Sequence, residues 1–391
     1  MKRIVVFGST GSIGRSTLSV IRRFPERFRV VGLSAHSQTG LLRQQAAEFK
    51  PEVVVLSGES HKSGLALPVN SGGKTEIFLG TEGLRKIAFW PGVDLAVLAI
   101  PGTESTMPAV WVLEAGRNLA LASKEALVMA GEVLISKARS SGTVIIPLDS
   151  EHNAIFQIVS AFPGRRIKKI YLTASGGPFW KKKPKRKVSI REALAHPVWK
   201  MGKKVTVDSA TMMNKALEVI GAHYLFGLPP EKIEVLIHPE VAVHGLVEFE
   251  DGFTIANLSV PDMRISIAFG LFWPERPPSS PVLRTLSLPE MGRLRFEKPS
   301  RRQFPALRLV YQVLEKAGSY PGVFSAANEE AVASFLSGLI EFEEIIPLVE
   351  KTLAKRKPFS ASGPSEIIIE AEKTRSFVRS LISDDISQPA R

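Results

Sequence analysis

Short, largely apolar runs recur along the first part of the chain, at residues 4–7, 28–33, 53–56, 95–100, 119–122 and 144–146. Such runs read as buried strands, and the stretches between them have helical spacing. Alternation of this kind predicts an α/β fold in which a parallel sheet is covered on both faces and ligands gather at the carboxyl ends of the strands. From 150 to 272 the pattern changes. Residues 169–173 and 233–243 read as strands, 249–260 as a hairpin turning at Asp251-Gly252, and 209–226 as a helix, which together predict an α+β domain. Residues 273–300 are rich in proline and weakly periodic, as in a linker. Beyond them, 305–317, 325–336, 342–355 and 365–382 have helical spacing and predict a small helical bundle. The expected organisation is a Rossmann-like nucleotide-binding domain (1–149), a central α+β domain (150–272), a linker (273–300) and a C-terminal helical domain (301–391).

Composition narrows the chemistry. The 391 residues are 44% hydrophobic and 23% charged, the balance of a water-soluble globular protein. No apolar stretch approaches the ~20 residues that span a bilayer. The first apolar run breaks at Gly8, too soon for a secretory signal, so a cytoplasmic protein without membrane attachment is expected. The absence of cysteine excludes disulfides, thiolate nucleophiles and sulfur-ligated zinc, and any metal must be held by oxygen or imidazole. A net charge of +13 suits a polyanion or a small phosphorylated substrate. In the run 181–187 six of seven residues are cationic. No aromatic is interleaved after Trp180, so a solvated loop is expected there rather than a nucleic-acid groove.

Gly8-Ser9-Thr10-Gly11-Ser12-Ile13-Gly14 follows the first strand and opens a helix, which predicts a dinucleotide site with the pyrophosphate on the helix N-terminus. The end of the second strand, His36-Ser37-Gln38, carries no acid to receive an NAD ribose, and His36 with Arg43 favours a 2′-phosphate, so NADP is expected over NAD. A surface loop is the alternative for His36. Asp149-Ser150-Glu151 ends another apolar run. Read as extended chain, it points two carboxylates the same way and predicts a divalent cation between them, the alternative being a solvated strand end. Asp208 and Ser209 read as a helix cap. Along the helix that follows, Asn214, Lys215 and Glu218 share one face, where Glu218 could complete an all-oxygen triad for Mg²⁺ or Mn²⁺ or simply form a surface pair with Lys215. Met212 and Met213 read as packing. Ser175-Gly176-Gly177 forms a turn that, with Ser209, Asn214 and Lys215, supplies donors for a dianion. The segment 196–202, with Pro197, Trp199 and Gly202, has the make-up of a lid, or of a loop anchored by its tryptophan. Lys124 stands at a further strand terminus.

These residues resemble the 1-deoxy-D-xylulose 5-phosphate reductoisomerase family over nearly the whole chain, through GSTGSIG at 8–14, ASKEALV at 122–128, PLDSEHNAIFQ at 147–157, LTASGGPF at 172–179, HPVWKMGKK at 196–204 and VDSATMMNKALE at 207–218. The resemblance implies a homodimeric enzyme that uses NADPH and one divalent metal ion, Mg²⁺ or Mn²⁺, to rearrange and reduce a small phosphorylated sugar. It implies that Asp149, Glu151 and Glu218 hold the ion, and that Ser175, His196, Ser209, Asn214 and Lys215 hold the substrate phosphate. Lys124 and Ser150 then meet the reacting portion, Trp199 and Met201 belong to the lid, and Lys124 joins the three acids as catalytic. Thr10, Gly11, Ser12, Ile13, His36, Ser37, Gln38, Ser123, Glu125 and Gly202 match cofactor contacts. The chain departs from the family at Ser123, usually Asn; at Ala126, usually Ser; at Ala174, usually Gly; and at 36–38, often Gly-Lys-Asn. Two other readings remain: a plain NADP-dependent dehydrogenase, and a nucleic-acid binder using the run 181–187.

Overall fold

The computed structural model describes residues 1–58, 75–181, 187–199, 201–281, 283–361 and 363–387, so most of the basic run (182–186) and Lys200 of the lid segment lie outside the described residues. The chain divides into two compact units.

The first unit comprises residues 1–126, 132–153 and 262–285. Its centre is a sheet of seven strands: β1 (Lys2–Phe7), β2 (Phe28–Ala35), β3 (Val53–Leu56), β4 (Glu76–Leu79), β5 (Leu95–Leu98), β6 (Asn118–Leu121) and β7 (Ile145–Pro147). All pair in parallel, in the order β4-β3-β2-β1-β5-β6-β7. Parallel strands are covered on both faces, which is why β3 and β5 are wholly apolar and buried. The order reverses between β1 and β5, and in such sheets the crevice at that reversal takes the ligand. The expected strands are present. The sequence pattern does not announce strand β4, a four-residue strand at the sheet edge with three of its positions exposed and one half-buried. The helix Met263–Phe272 also packs in this unit. The Phe272 ring meets Phe24 and Phe28 edge-on, with centroids 5.0 and 4.8 Å apart. The Lys2 ammonium donates to the Leu271 and Trp273 carbonyls at 2.8 and 2.9 Å, and burial there lowers its pKa.

The second unit comprises residues 127–131, 154–261 and 286–391. Its sheet is built from β8 (Ile167–Ala174), β9 (Ile233–Ile237), β10 (Val243–Phe249) and β11 (Thr254–Leu258), in the order β11-β10-β8-β9. Only β8 and β9 are parallel. One core joins Ile170, Leu172 and Val247 of the sheet with Leu217 and Ile220 of the helix Met213–Phe226 and with Val310, Phe324 and Val349 of the C-terminal helices. Those helices are Ala306–Lys316, Tyr320–Leu336, Ile345–Lys355 and Pro364–Ser387.

Three expectations need correction. The run 233–243 is two strands, because the chain turns at 238–242 around His238, which is 0% exposed. The His238 Nε2 accepts the Ala242 and Val243 amides at 3.1 Å, which leaves Nδ1 to donate to the Arg295 carbonyl at 2.8 Å. The helix expected at 209–226 is two helices, Lys203–Ala210 and Met213–Phe226, with Met212 in the left-handed region (φ 61°) between them. Asp208 therefore lies inside a helix and caps none. Finally, the segment 149–151 is not extended. Strand β7 ends at Pro147 and the helix Ser150–Ala161 begins at once, the Asp149 carbonyl accepting the Asn153 amide at 2.8 Å. An acid followed by Ser and Glu suits a helix start, where free amides and the dipole favour anions.

Candidate functional site

In the first unit, Gly8 (φ 74°) leaves β1 so close to the chain after β5 that a Cβ on it would come within 2.7 Å of the Ala99 carbonyl oxygen. A Cβ on Gly14 would lie 2.3 Å from the Gly8 oxygen. Only glycine fits either position, and the resulting turn carries Thr10 and Gly11 to the start of the helix Ser12–Ile21. No side chain caps that N-terminus, so the amides about Ser12 and Ile13 are presented at the reversal of strand order. At the end of β2, His36, Ser37 and Gln38 are exposed and the His36 carbonyl accepts the Gly58 amide.

Strands β6 and β7 pair in register, Leu121 opposite Pro147, so the residues that follow them emerge side by side. Lys124 opens the helix Lys124–Ser141 and places its ammonium 2.6 Å from the Asp149 Oδ2, with only 10% and 13% of the two side chains exposed. Ser150 donates to the Glu151 carboxylate. Two partners escaped the reading of the sequence. The buried His152 ring lies 3.8 Å from the Asp149 Oδ1, and its spacing three residues along a helix from Asp149 would have revealed it. Ser105 carries no such signal. Its hydroxyl meets that of Ser123 at 2.9 Å, and Ser123 donates to the Glu125 carboxylate at 3.0 Å, all three residues being buried.

In the second unit, β8 delivers the loop Ser175-Gly176-Gly177. A Cβ on Gly177 (φ 64°) would stand 2.8 Å from the Ser209 carbonyl oxygen, so the glycine brings this loop against the end of the helix Lys203–Ala210. The Ser175 hydroxyl lies 3.0 Å from the His196 Nε2. The His196 Nδ1 accepts the Val198 and Trp199 amides at 3.1 and 2.8 Å, so the neutral ring carries its proton on Nε2 and presents it to Ser175. Burial lowers the His196 pKa and favours that neutral form. The ring thereby fixes the chain at Pro197–Trp199. Lys215 and Glu218 are buried, 3% and 1% exposed, and bonded to each other. Asn214 donates to the other Glu218 oxygen at 2.7 Å. A buried ion pair gains little net stability because both charges lose water, and this placement fits a site for ligands better than a structural brace. Met212 and Met213 are core residues.

The structure thus brings together Lys124, Asp149, Ser150 and Glu151 in one unit, and Ser175 with His196, Gly177 with Ser209, and Asn214 with Lys215 and Glu218 in the other. Trp199, Met201 and Gly202 follow His196 in the chain. Among the described residues no helix is long and apolar enough to cross a membrane.

Residues 4–131 match the family described as 1-deoxy-D-xylulose 5-phosphate reductoisomerase, 145–226 its C-terminal domain, and 258–377 a further DXP reductoisomerase C-terminal domain. The chain is 43% identical to the 1-deoxy-D-xylulose 5-phosphate reductoisomerase of Thermodesulfovibrio yellowstonii over 390 residues, covering 99% of this chain and 100% of the relative. It is 43% identical to that of Gloeobacter violaceus, covering 100% and 99%. Among solved structures, the reductoisomerase from Zymomonas mobilis in complex with NADPH superposes with a TM-score of 0.88 at 36% identity, covering 97% of this chain and 99% of that one. A DOX-P reductoisomerase in complex with NADPH, fosmidomycin and magnesium superposes at 0.89 and 36% identity, covering 98% of both.

Proposed function

The chain belongs to the 1-deoxy-D-xylulose 5-phosphate reductoisomerase family, and from that premise we propose how its residues convert 1-deoxy-D-xylulose 5-phosphate (DXP) to 2-C-methyl-D-erythritol 4-phosphate with NADPH and one divalent cation. The observation that carries the reading is the family match along the whole length, relatives of known structure being complexed with NADPH and magnesium.

Asp149, Glu151 and Glu218 are proposed to hold the cation. The donor set fits a hard ion: three carboxylates, no cysteine thiolate in the chain, and oxygen donors of the kind Mg²⁺ and Mn²⁺ prefer. When bound, the cation supplies Lewis acidity to the substrate's vicinal oxygens, and NADPH supplies the hydride. Asn214 and Lys215 orient Glu218, as their bonds to its two oxygens indicate. Lys124, held 2.6 Å from Asp149, is placed to carry a proton to or from the reacting portion of the substrate, with Ser150 as its neighbour. The phosphate end falls to Ser175, His196, Ser209, Asn214 and Lys215, which supply hydroxyl, imidazole N–H, amide and ammonium donors. Trp199 and Met201 form the lid, and closing it uses binding energy from the phosphate, remote from the bonds that change. Thr10, Gly11, Ser12 and Ile13 receive the NADPH pyrophosphate, His36, Ser37 and Gln38 its adenosine end, and Ser123, Glu125 and Gly202 its nicotinamide end.

The proposal extends to a homodimer working in the cytoplasm. Its support is the outer strand β11, flanked by Phe253, 73% exposed, and carrying Leu258, 37% exposed, together with the half-buried Leu246 on β10; an open sheet face and edge of this kind suit pairing with a second copy. The catalytic reading is tested by following NADPH consumption with DXP. Turnover abolished by EDTA and restored by Mg²⁺ is expected, and oxidation that needs no divalent ion would refute it in favour of a plain dehydrogenase.

A further inference from the structure

The phosphate residue Ser209 follows a carboxylate that the chemistry above does not use. Asp208 is 1% exposed. Lys204, one turn earlier, donates to its Oδ2 at 2.8 Å, and Asn328, in the middle of the helix Tyr320–Leu336, donates to its Oδ1 at 2.8 Å. Asn328 is 0% exposed, and its own Oδ1 has no hydrogen-bond partner among the described residues. The hydroxyl of Ser325, equally buried and one turn earlier on the same face, has none either. A buried polar atom without a partner carries a desolvation cost that nothing offsets. For packing alone an apolar side chain at 328 serves better, and an arrangement retained against that cost points to a role in geometry.

That geometry leads to the phosphate site. The helix that holds Asp208 ends at Ala210. The Ser209 carbonyl oxygen abuts Gly177 of the 175–177 loop, and it also accepts the Met212 amide at 3.2 Å. Met212, in the left-handed region, turns the chain directly into Asn214, Lys215 and Glu218. Asp208 therefore directly precedes the carbonyl that meets both segments assigned to the phosphate, and Asn328 holds Asp208 from the C-terminal helices.

We propose that Asn328, acting through Asp208, is a positioning residue for the substrate phosphate site: its amide fixes the end of the helix Lys203–Ala210 so that Ser209, the 175–177 loop and the start of the next helix converge on one dianion. The inference rests on the assignment of Ser209, Asn214 and Lys215 to the phosphate. In Asn328→Asp two carboxylates face each other. In the double variant Asp208→Asn/Asn328→Asp the bond is restored with donor and acceptor exchanged.

The test measures the dissociation constants of inorganic phosphate and of NADPH, with the KM for DXP, on the full-length enzyme. Asn328→Asp is expected to weaken phosphate and raise the KM at least tenfold, about 1.4 kcal/mol, with NADPH affinity unchanged. The double variant should return both to within about threefold of wild type, as strongly coupled neighbours do. Should Asn328→Asp fail to fold, Asn328→Leu, which removes the donor without adding charge, is read in the same assays with the same expectation for the single change. A folded single variant with unaltered phosphate affinity overturns the proposal, as does a parallel loss of phosphate and NADPH binding, or a double variant no better than the single. Ser209→Ala separates the two levels: phosphate affinity untouched by that change refutes the phosphate site and the proposal with it, whereas loss there beside a silent Asn328→Asp refutes the positioning role alone.

Discussion

Residues in this site do their work by being held in one protonation state and one direction. Lys215 and Glu218 are both almost fully buried, so removing one leaves the other charged and dry. Lys215→Met is expected to lower stability in EDTA by about 3 kcal/mol, the usual cost of orphaning a buried charge, and Mg²⁺ should recover part of it; urea denaturation with and without the ion checks this, and equal stability would show the pair to be idle. His196 makes a second prediction. Burial holds its folded pKa below the ordinary 6.5, so the unfolded chain binds the proton more readily. The group's contribution to stability is then fully present above 6.5 and is lost as pH falls through that value toward the folded pKa. Protonating Nδ1 would also remove the acceptor of the Val198 and Trp199 amides. Denaturation midpoints measured downward from neutral pH should fall less steeply in His196→Gln than in the wild type, and parallel curves would refute the assignment. Sequence placed His196, Lys215 and Glu218 among the candidates by chemistry and family likeness. It could not reveal Ser105, whose only signal is a contact with Ser123 across the turn that follows β5.

At the scale of elements, the turn after β1 is set by two glycines that tolerate no side chain. Gly14→Ala would place a Cβ 2.3 Å from the Gly8 oxygen, forcing the helix Ser12–Ile21 away from the turn. NADPH titration is expected to show affinity reduced by at least tenfold, about 1.4 kcal/mol, and a dissociation constant equal to wild type would remove this turn from the cofactor site. The lid gives the complementary case. Trp199→Ala is expected to lower kcat as well as raise the KM for DXP, because closure is coupled to the chemical step; a change in KM alone would make Trp199 a simple contact. Legibility at this scale followed burial. Strands such as β3 and β5, apolar at every position, were plain in the sequence. Strand β4 was hidden by its exposed edge, and the break at Met212 by a methionine in a conformation for which its type gives no warning. The start of the helix at Ser150 is not legible in the sequence, because Asp-Ser-Glu after a strand is equally compatible with a turn, an extended end or a cap. The chemical content of the segment is the same either way, since carboxylates at 149 and 151 are ligand candidates from a helix N-terminus as from a strand.

For the whole molecule, the organisation follows from which apolar faces need covering. The helix Met263–Phe272 lies far along the chain from β1, yet Phe272 completes an aromatic cluster with Phe24 and Phe28, a pairing that no local pattern announces. The proposed site draws on stretches around 124, 149–151, 175, 196 and 208–218, which in the sequence are tied together only by their joint likeness to one family. Self-association belongs to this scale as well. Light scattering should give twice the chain mass, and Leu246→Glu, which puts a charge on the open face of β10, should give a single-chain mass; a wild-type monomer with full activity would refute the dimer. The central claim is that Asp149, Glu151 and Glu218 share one divalent ion. Anomalous diffraction from crystals grown with Mn²⁺ and NADPH tests it most directly: one manganese peak about 2.0–2.3 Å from oxygens of all three acids is the predicted result, and a peak that leaves out Glu218, or no peak beside Asp149 and Glu151, would contradict it.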